Sequence, residues 1–283
     1  MRAFVTEADL WLPCGILAGW LMASLAARAA GLSARQTHGL VLGGLLTVYA
    51  TSVLFTAATA GHTAAEGWHE WLRPRSGVFV ALAALSLYAA VFCRWQRVSF
   101  RHVADIGAPA FLLVIACARV GCFVRGCCWG DVCCDPAQVA GLSNADAACV
   151  YTIPALCASA WPLAVIFPRG SMAYMQHAML GLLPGPQAHS LPCHPVQLYE
   201  AAVAACLAVA ALWLLPRRRF PVQVATLCLA GYALARFALE FVRADHAIIW
   251  WRFTAAQMAS LACAAVAMGW YWRAARQAGR SRR

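Results

Sequence analysis

Residues Val222–Val242 read VQVATLCLAGYALARFALEFV, and the way this stretch is built decides how the whole chain is read. Its first fourteen residues carry no charge, so no face of the segment is set aside for water. Its length matches a helix that crosses about 30 Å of hydrocarbon at about 1.5 Å per residue. Charge then arrives abruptly. Arg236, Glu240 and the following Arg243 stand at i, i+4 and i+7, which returns to nearly the same helix face after two turns. A charge placed at mid-bilayer costs roughly 2.5–3.5 kcal/mol on the insertion scale, so such a stripe needs partners inside the protein or a function that demands it.

The rest of the sequence repeats the pattern. Of its 283 residues 63% are hydrophobic and 12% charged, against roughly 45–50% apolar and 25% charged in soluble domains. Apolar windows fall at Leu10–Ala30, Gly39–Ala60, Gly77–Cys93, Ile106–Phe123, Val196–Leu215 and Phe253–Trp272 as well as Val222–Val242. The expectation is an all-α polytopic membrane protein with about seven transmembrane helices, forming a single transmembrane domain over residues 1–283. Leu10–Ala30 is read as a retained span, because Glu7 and Asp9 make its flank acidic and it is too long for a signal-peptide core. Ala147–Phe167 is interrupted by Pro154 and Pro162 and reads as extramembrane or re-entrant structure.

The net charge of +11 comes from 22 basic residues, all of them arginine, against 11 acidic ones. Nucleic acid is excluded as a partner, since removing the spans leaves no solvated basic domain with interleaved aromatics. With seven spans, one set of loops holds Arg28, Arg35, Arg94, Arg97, Arg101, Arg217–Arg219, Arg273, Arg276, Arg280, Arg282 and Arg283 against the single acid Asp105. By the positive-inside rule those loops are cytoplasmic, with the N-terminus outside and the C-terminus inside. The connection from Val124 to Pro195 becomes an outer loop domain, residues 124–195, far longer than a connection requires.

Three spans then deliver polar groups to one depth. Arg119 lies in the outer part of the fourth span, Arg236 and Glu240 in the outer part of the sixth, and the fifth opens with His194-Pro-Val-Gln-Leu-Tyr-Glu200. Proline suits a first helical turn, whose free N–H groups favour an anion. One reading is an internal ion-pair network. The other is that arginine in surplus over acid grips a lipid phosphate bidentately, with Arg119 and Arg236 as the phosphate-binding candidates.

These segments resemble the bacterial prolipoprotein diacylglyceryl transferases. The likeness is carried by His194-Pro-Val-Gln-Leu-Tyr-Glu200, by Arg236-Phe-Ala-Leu-Glu-Phe-Val-Arg243 followed by Asp245, and by Ala118-Arg-Val-Gly-Cys-Phe-Val-Arg-Gly-Cys-Cys-Trp-Gly130, and it runs from about Ser99 to Trp272. The resemblance implies transfer of the diacylglyceryl group of phosphatidylglycerol to the lipobox cysteine thiol in the signal peptide of a prolipoprotein. The reaction is placed at the outer face of the bacterial inner membrane, among membrane lipids and without a cofactor. It implies catalytic roles for His194, Arg236 and Glu240, and substrate binding by Arg119, Gly121, Cys122, Gly130, Gln197, Tyr199, Glu200 and Arg243. The chain also departs from the family pattern. Cys122 stands where the signature carries Asn, Gly126-Cys127-Cys128 replaces Gly-Glu-Leu, and the third-span His or Tyr with Gly-Gly has no titratable counterpart around Gly77-Val78-Phe79. His194 is left as the nearest base, with helix capping as its structural alternative.

Fourteen cysteines are the remaining signal. Cys122, Cys127, Cys128, Cys133 and Cys134 crowd one outer stretch, with Cys149, Cys157 and Cys193 later in the same loop. An oxidising compartment favours disulfides. A tetrahedral metal site with His177, His189 or His194 is the second reading, although the two-pair C-x-x-C spacing is absent. A thiol-redox or metal-handling membrane protein, or a transferase relative with a different acceptor, is therefore the rival function. His62, His69, Trp68 and Trp71 in the second outer loop read as interfacial anchors. No nucleotide-binding or zinc-protease motif appears.

Overall fold

A computed structural model describes residues 7–59, 78–133, 162–183, 189–244, 248–250 and 253–280. Each of the seven apolar windows coincides with a helix. These are α1 (Glu7–Ala29), α2 (Ala34–Thr59), α3 (Val78–Trp95), α4 (Phe100–Arg125), α6 (Val196–Leu214), α7 (Gln223–Leu239) and α8 (Ala255–Arg280), with a short α5 (Met172–Met179) between the fourth and fifth windows. Among the described residues five segments are long and apolar enough to cross a membrane: Leu10–Arg28, Ala34–Phe55, Phe100–Arg125, Val196–Arg217 and Gln223–Val242. Ala83–Trp95 is a shorter apolar piece. The chain is a multi-pass helical membrane protein. Among the described residues a small antiparallel strand pair, β1 (Ile248–Trp250) and β2 (Phe253–Thr254), departs from the expected class, with Ile248 opposite Thr254.

The chain forms two compact units, Met1–Gly19 with Ala108–Arg283, and Trp20–Gly107. In the second unit α2 and α3 pack together, and the Tyr88 hydroxyl donates to the Gly39 carbonyl at 2.7 Å. The first unit carries every residue proposed for the site. Its core is a ridge of small side chains, Ala204, Ala208 and Ala211 on α6, set against Leu112 and Ala116 of α4 and Val224 and Cys228 of α7. In lipid there is no hydrophobic drive between helices, so close approach of small residues supplies the packing.

Among the described residues of the expected outer segment the backbone is joined by isolated bridges. Val132 and Val165 both bridge Cys193, Gly130 bridges Arg243, and Pro168 bridges His189. Beneath these lies a second apolar cluster of Phe123, Trp129, Val165, Phe167, Ala173 and Cys193. Helix α5 begins at Ser171, whose hydroxyl caps the Tyr174 N–H at 3.2 Å. Residues 147–161 of the Pro-interrupted stretch, the second-loop residues His62, Trp68, His69 and Trp71, and Asp245 lie outside the described residues.

Candidate active site

Three helix ends meet because α6 runs opposite to its neighbours. Arg119 sits near the C-terminal end of α4, Arg236 in the last turn of α7, and Glu200 in the first turns of α6. The geometry joins them. Arg119 Nε lies 3.0 Å from Glu200 Oε2, and Arg236 Nε lies 3.9 Å from Glu200 Oε1. Arg236 also pairs with Glu240 one turn on, and Arg243 Nε lies 3.7 Å from the same carboxylate. The result is an alternating chain, Arg119–Glu200–Arg236–Glu240–Arg243. Both carboxylates are buried, whereas the Arg119 and Arg236 side chains keep 23% and 18% exposure.

The network therefore has three guanidiniums against two buried carboxylates. Each acid is shared by two arginines, so an internal ion-pair network is present, in which two of the guanidiniums stay partly exposed. Two partners were not singled out from the sequence. The Tyr232 hydroxyl donates to Glu200 Oε1 at 2.5 Å, and the Thr254 hydroxyl donates to Glu240 Oε1 at 2.9 Å. Tyr232 stands four residues before Arg236 on the charged stripe of α7, a spacing that would have found it. Thr254 carried no such signal. It caps α8 reciprocally with Gln257, the Thr254 N–H donating to Gln257 Oε1 at 3.0 Å and the Gln257 N–H to Thr254 Oγ1 at 3.1 Å.

Backbone geometry holds the signature segment in place. Helix α4 ends at Gly126, whose φ of +67° is the left-handed conformation glycine adopts freely. The Cys127 N–H bonds to the Cys122 carbonyl at 3.1 Å and the Gly126 N–H to Phe123 at 3.0 Å, the paired bonds of a Schellman ending. Gln197, on α6, donates from Nε2 to the Cys127 carbonyl at 2.7 Å, which ties this turn to the start of α6. Four residues beyond the turn, Gly130 threads between two other segments. Its N–H bonds to the His194 carbonyl at 2.9 Å, and the next N–H, of Asp131, bonds to the Val242 carbonyl at 2.8 Å. A Cβ at Gly130 would lie 2.6 Å from Val196 and 2.7 Å from His194. Gly130 thus fixes the distance between the His194 and Arg243 segments.

The His194 N–H bonds to the Asp131 carbonyl at 3.0 Å, and its ring lies 6.4 Å from that of Tyr199. Burial pushes the imidazole below its ordinary range, and the Asp131 carboxylate opposes that shift, so the neutral form is favoured near neutrality. Buried polar atoms without a partner among the described residues include Trp129 Nε1, a donor, and Gln197 Oε1, an acceptor.

The cysteines separate. Cys122, Cys127 and Cys128 bring their sulphurs together, while Cys133 stays outside that group and Cys134, Cys149 and Cys157 lie outside the described residues. The Cys122, Cys127 and Cys128 thiols are not in disulfides. The histidines suggested as co-ligands do not join the three thiols. His177 Nδ1 accepts the Leu191 N–H at 3.2 Å, and His189 Nδ1 lies 3.0 Å from the Ser190 carbonyl oxygen.

Comparison with known proteins agrees with the motifs. A family model described as prolipoprotein diacylglyceryl transferase matches residues 10–273. The phosphatidylglycerol–prolipoprotein diacylglyceryl transferase of Paraburkholderia phymatum is 36% identical over 162 residues, 55% of this chain and 48% of that protein. The protein of the same name from Burkholderia lata is 34% identical over 185 residues, 62% of this chain and 53% of that protein. The chain thus spans about half the length of the curated relatives it matches. With the matched model covering all but the ends of the sequence, the chain belongs to the prolipoprotein diacylglyceryl transferase family.

Proposed function

We propose that the chain transfers the diacylglyceryl group of phosphatidylglycerol to the lipobox cysteine thiol of a prolipoprotein, at the outer face of the inner membrane. The observation that carries this reading is the convergence of Arg119 and Arg236 on Glu200, where both guanidiniums remain partly exposed. In the reaction the acceptor sulphur forms a bond to the glycerol carbon as the carbon–oxygen bond to phosphate breaks. Glycerol phosphate leaves, and the thiol proton passes to a base. Negative charge grows on the leaving phosphate oxygen, where preorganised guanidiniums stabilise it more than they stabilise the intact diester.

Arg119 and Arg236 hold the phosphate in this scheme. Glu200 orients both by sharing its two oxygens, Tyr232 fixes Glu200, and Glu240 with Arg243 holds Arg236 in place. His194, kept neutral by burial, is the proton acceptor, and it lies beside Tyr199. Gln197, through its bond to the Cys127 carbonyl, holds the signature segment against the start of α6. Gly121, Cys122 and Gly130 shape the signature segment around them.

The outward orientation is supported by the course of α6. It leaves the site end at Val196 and reaches Arg217–Arg219 after about 28 Å of helix. There the Phe220 and Tyr271 rings meet edge to face with centroids 5.2 Å apart, bringing that arginine run beside the part of α8 that carries Arg273 and Arg276. Arginines gathered at the end remote from the site support a cytoplasmic location for that end.

The test is complementation of a strain depleted of its own transferase, scored by lipidation of a marker lipoprotein. Arg119→Ala and Arg236→Ala should each lower transfer about 100- to 1,000-fold, the loss expected when one preorganised donor is removed. Failure of the unaltered chain to lipidate the marker while folded in the membrane overturns the reading.

A further inference from the structure

The mechanism leaves unused the densest group of reactive side chains in the described structure. The Sγ atoms of Cys122, Cys127 and Cys128 all lie within 4.8 Å of one another, and all three thiols are free and half-buried. We infer that these three sulphurs form a binding site for a divalent thiophilic d10 cation, of the Zn(II) or Cd(II) class. The site goes beyond lipid transfer and stands whether or not the chain is an active transferase.

The spacing is that of a metal site. Sulphurs bound at about 2.3 Å on a tetrahedral ion are about 3.8 Å apart, so a small contraction of the group suffices. The scaffold is also fixed before any ion arrives. Cys122 stands in the last turn of α4, the Schellman ending sets Cys127, and the Gln197 bond pins the Cys127 carbonyl. Cys128 has a φ of +60°, a left-handed conformation uncommon in residues other than glycine, and this turns the chain so that adjacent residues contribute to one cluster. A disulfide would use two of the three sulphurs and leave the convergence of the third without purpose, and adjacent cysteines bond to each other poorly.

A metal requires thiolates, so its binding displaces the thiol protons. The Arg243 and Arg119 guanidiniums lie close enough to act on this cluster. Three thiolates with a divalent ion carry one net negative charge, which those same two guanidiniums offset. Soft thiolate donors without carboxylate select Zn(II) and its heavier congener over Mg(II) or Ca(II), and the fourth position is open to water or a further thiolate.

The full chain, purified in detergent and reduced, is titrated with Cd(II) while the ultraviolet thiolate-to-cadmium absorption is followed. The expected result is one ion per chain, displaced by Zn(II) and not by Mg(II), with affinity lowered at least about 100-fold in Cys122→Ser, Cys127→Ser and Cys128→Ser. Cys206→Ser and Cys263→Ser, at exposed positions elsewhere, leave it unchanged. A second measurement needs no variant: Cd(II) protects Cys122, Cys127 and Cys128 from alkylation in peptide mapping and leaves Cys206 and Cys263 reactive. The proposal is overturned by cadmium absorption that survives the cluster variants, by equal alkylation of the three thiols with and without the ion, or by a Cys122 disulfide in protein isolated without reductant. Lipid transfer enters none of these readouts, so failure here and failure of the transferase reading are distinguishable.

Discussion

Arginine gathers at both ends of the α6–α7 pair, with opposite surroundings. At the α6 N-terminal end Arg119, Arg236 and Arg243 are largely buried and interleaved with Glu200 and Glu240, each carboxylate serving two guanidiniums. At the other end Arg217, Arg219, Arg273, Arg276 and Arg280 are exposed. Arg217 donates to the Trp213 carbonyl at 2.7 Å and lies 4.6 Å from that residue's ring centroid, the posture of a side chain lying along an interfacial aromatic. The same residue type thus does two jobs. Where water is scarce an arginine requires a partner and can act on a bound anion, and where water is plentiful it sets orientation and little else.

The contrast can be broken most sharply at Glu200. Glu200→Ala leaves Arg119 and Arg236 without their shared counter-charge and should destabilise the chain by about 3 kcal/mol, the low end of the range for a broken buried pair, because both guanidiniums retain some water. Denaturant titration in detergent measures it. A loss below the experimental error would mean that the site end behaves like the exposed end.

Gly130→Ala tests whether backbone placement matters as much as charge. The added methyl group meets Val196 and the His194 backbone, so a loss of about 1–3 kcal/mol is expected, with reduced lipidation even though no charge has changed. Tyr232→Phe removes a single hydrogen bond to a charged acceptor, worth about 1.5–3 kcal/mol at most, and should reduce transfer while the chain stays folded. At the opposite end Arg276→Ala should leave both melting temperature and lipidation unchanged within error. A large effect there would erase the distinction between the two ends.

How much of this could be read in advance differs by residue. The Arg236–Glu240 pair was legible from its helical spacing, which also includes Tyr232, but α7 ends at Leu239 in a 3-10 turn over Glu240–Val242, so Arg243 leaves the expected helix face, is extended and bridges Gly130. The bond from Gln197 to the Cys127 carbonyl spans 70 positions in sequence and has no periodic signature. Thr254 reaches Glu240 only because the β1–β2 hairpin folds the chain back, a turn whose residues gave no hydrophobic pattern. The cysteine cluster was legible as a crowd but not as a trio. Its membership depends on the Gly126 turn and the left-handed Cys128, which gather Cys122, Cys127 and Cys128 and leave Cys133 aside.

What the amino-acid order determined by itself is the helical membrane class, the course of the seven apolar windows and the family, since each follows from local composition or contiguous motifs. Apolar side chains over about 20 residues favour a helix in lipid whatever surrounds them, because every backbone polar group is then satisfied within the segment. Only the tertiary structure decided that Glu200 stands between Arg119 and Arg236, that Gly130 is the thread between the His194 and Arg243 segments, and that three thiols share one small volume. Those are contacts between distant positions, and they depend on the small-residue ridge that brings α4, α6 and α7 together, where packing rather than local preference chooses the neighbours.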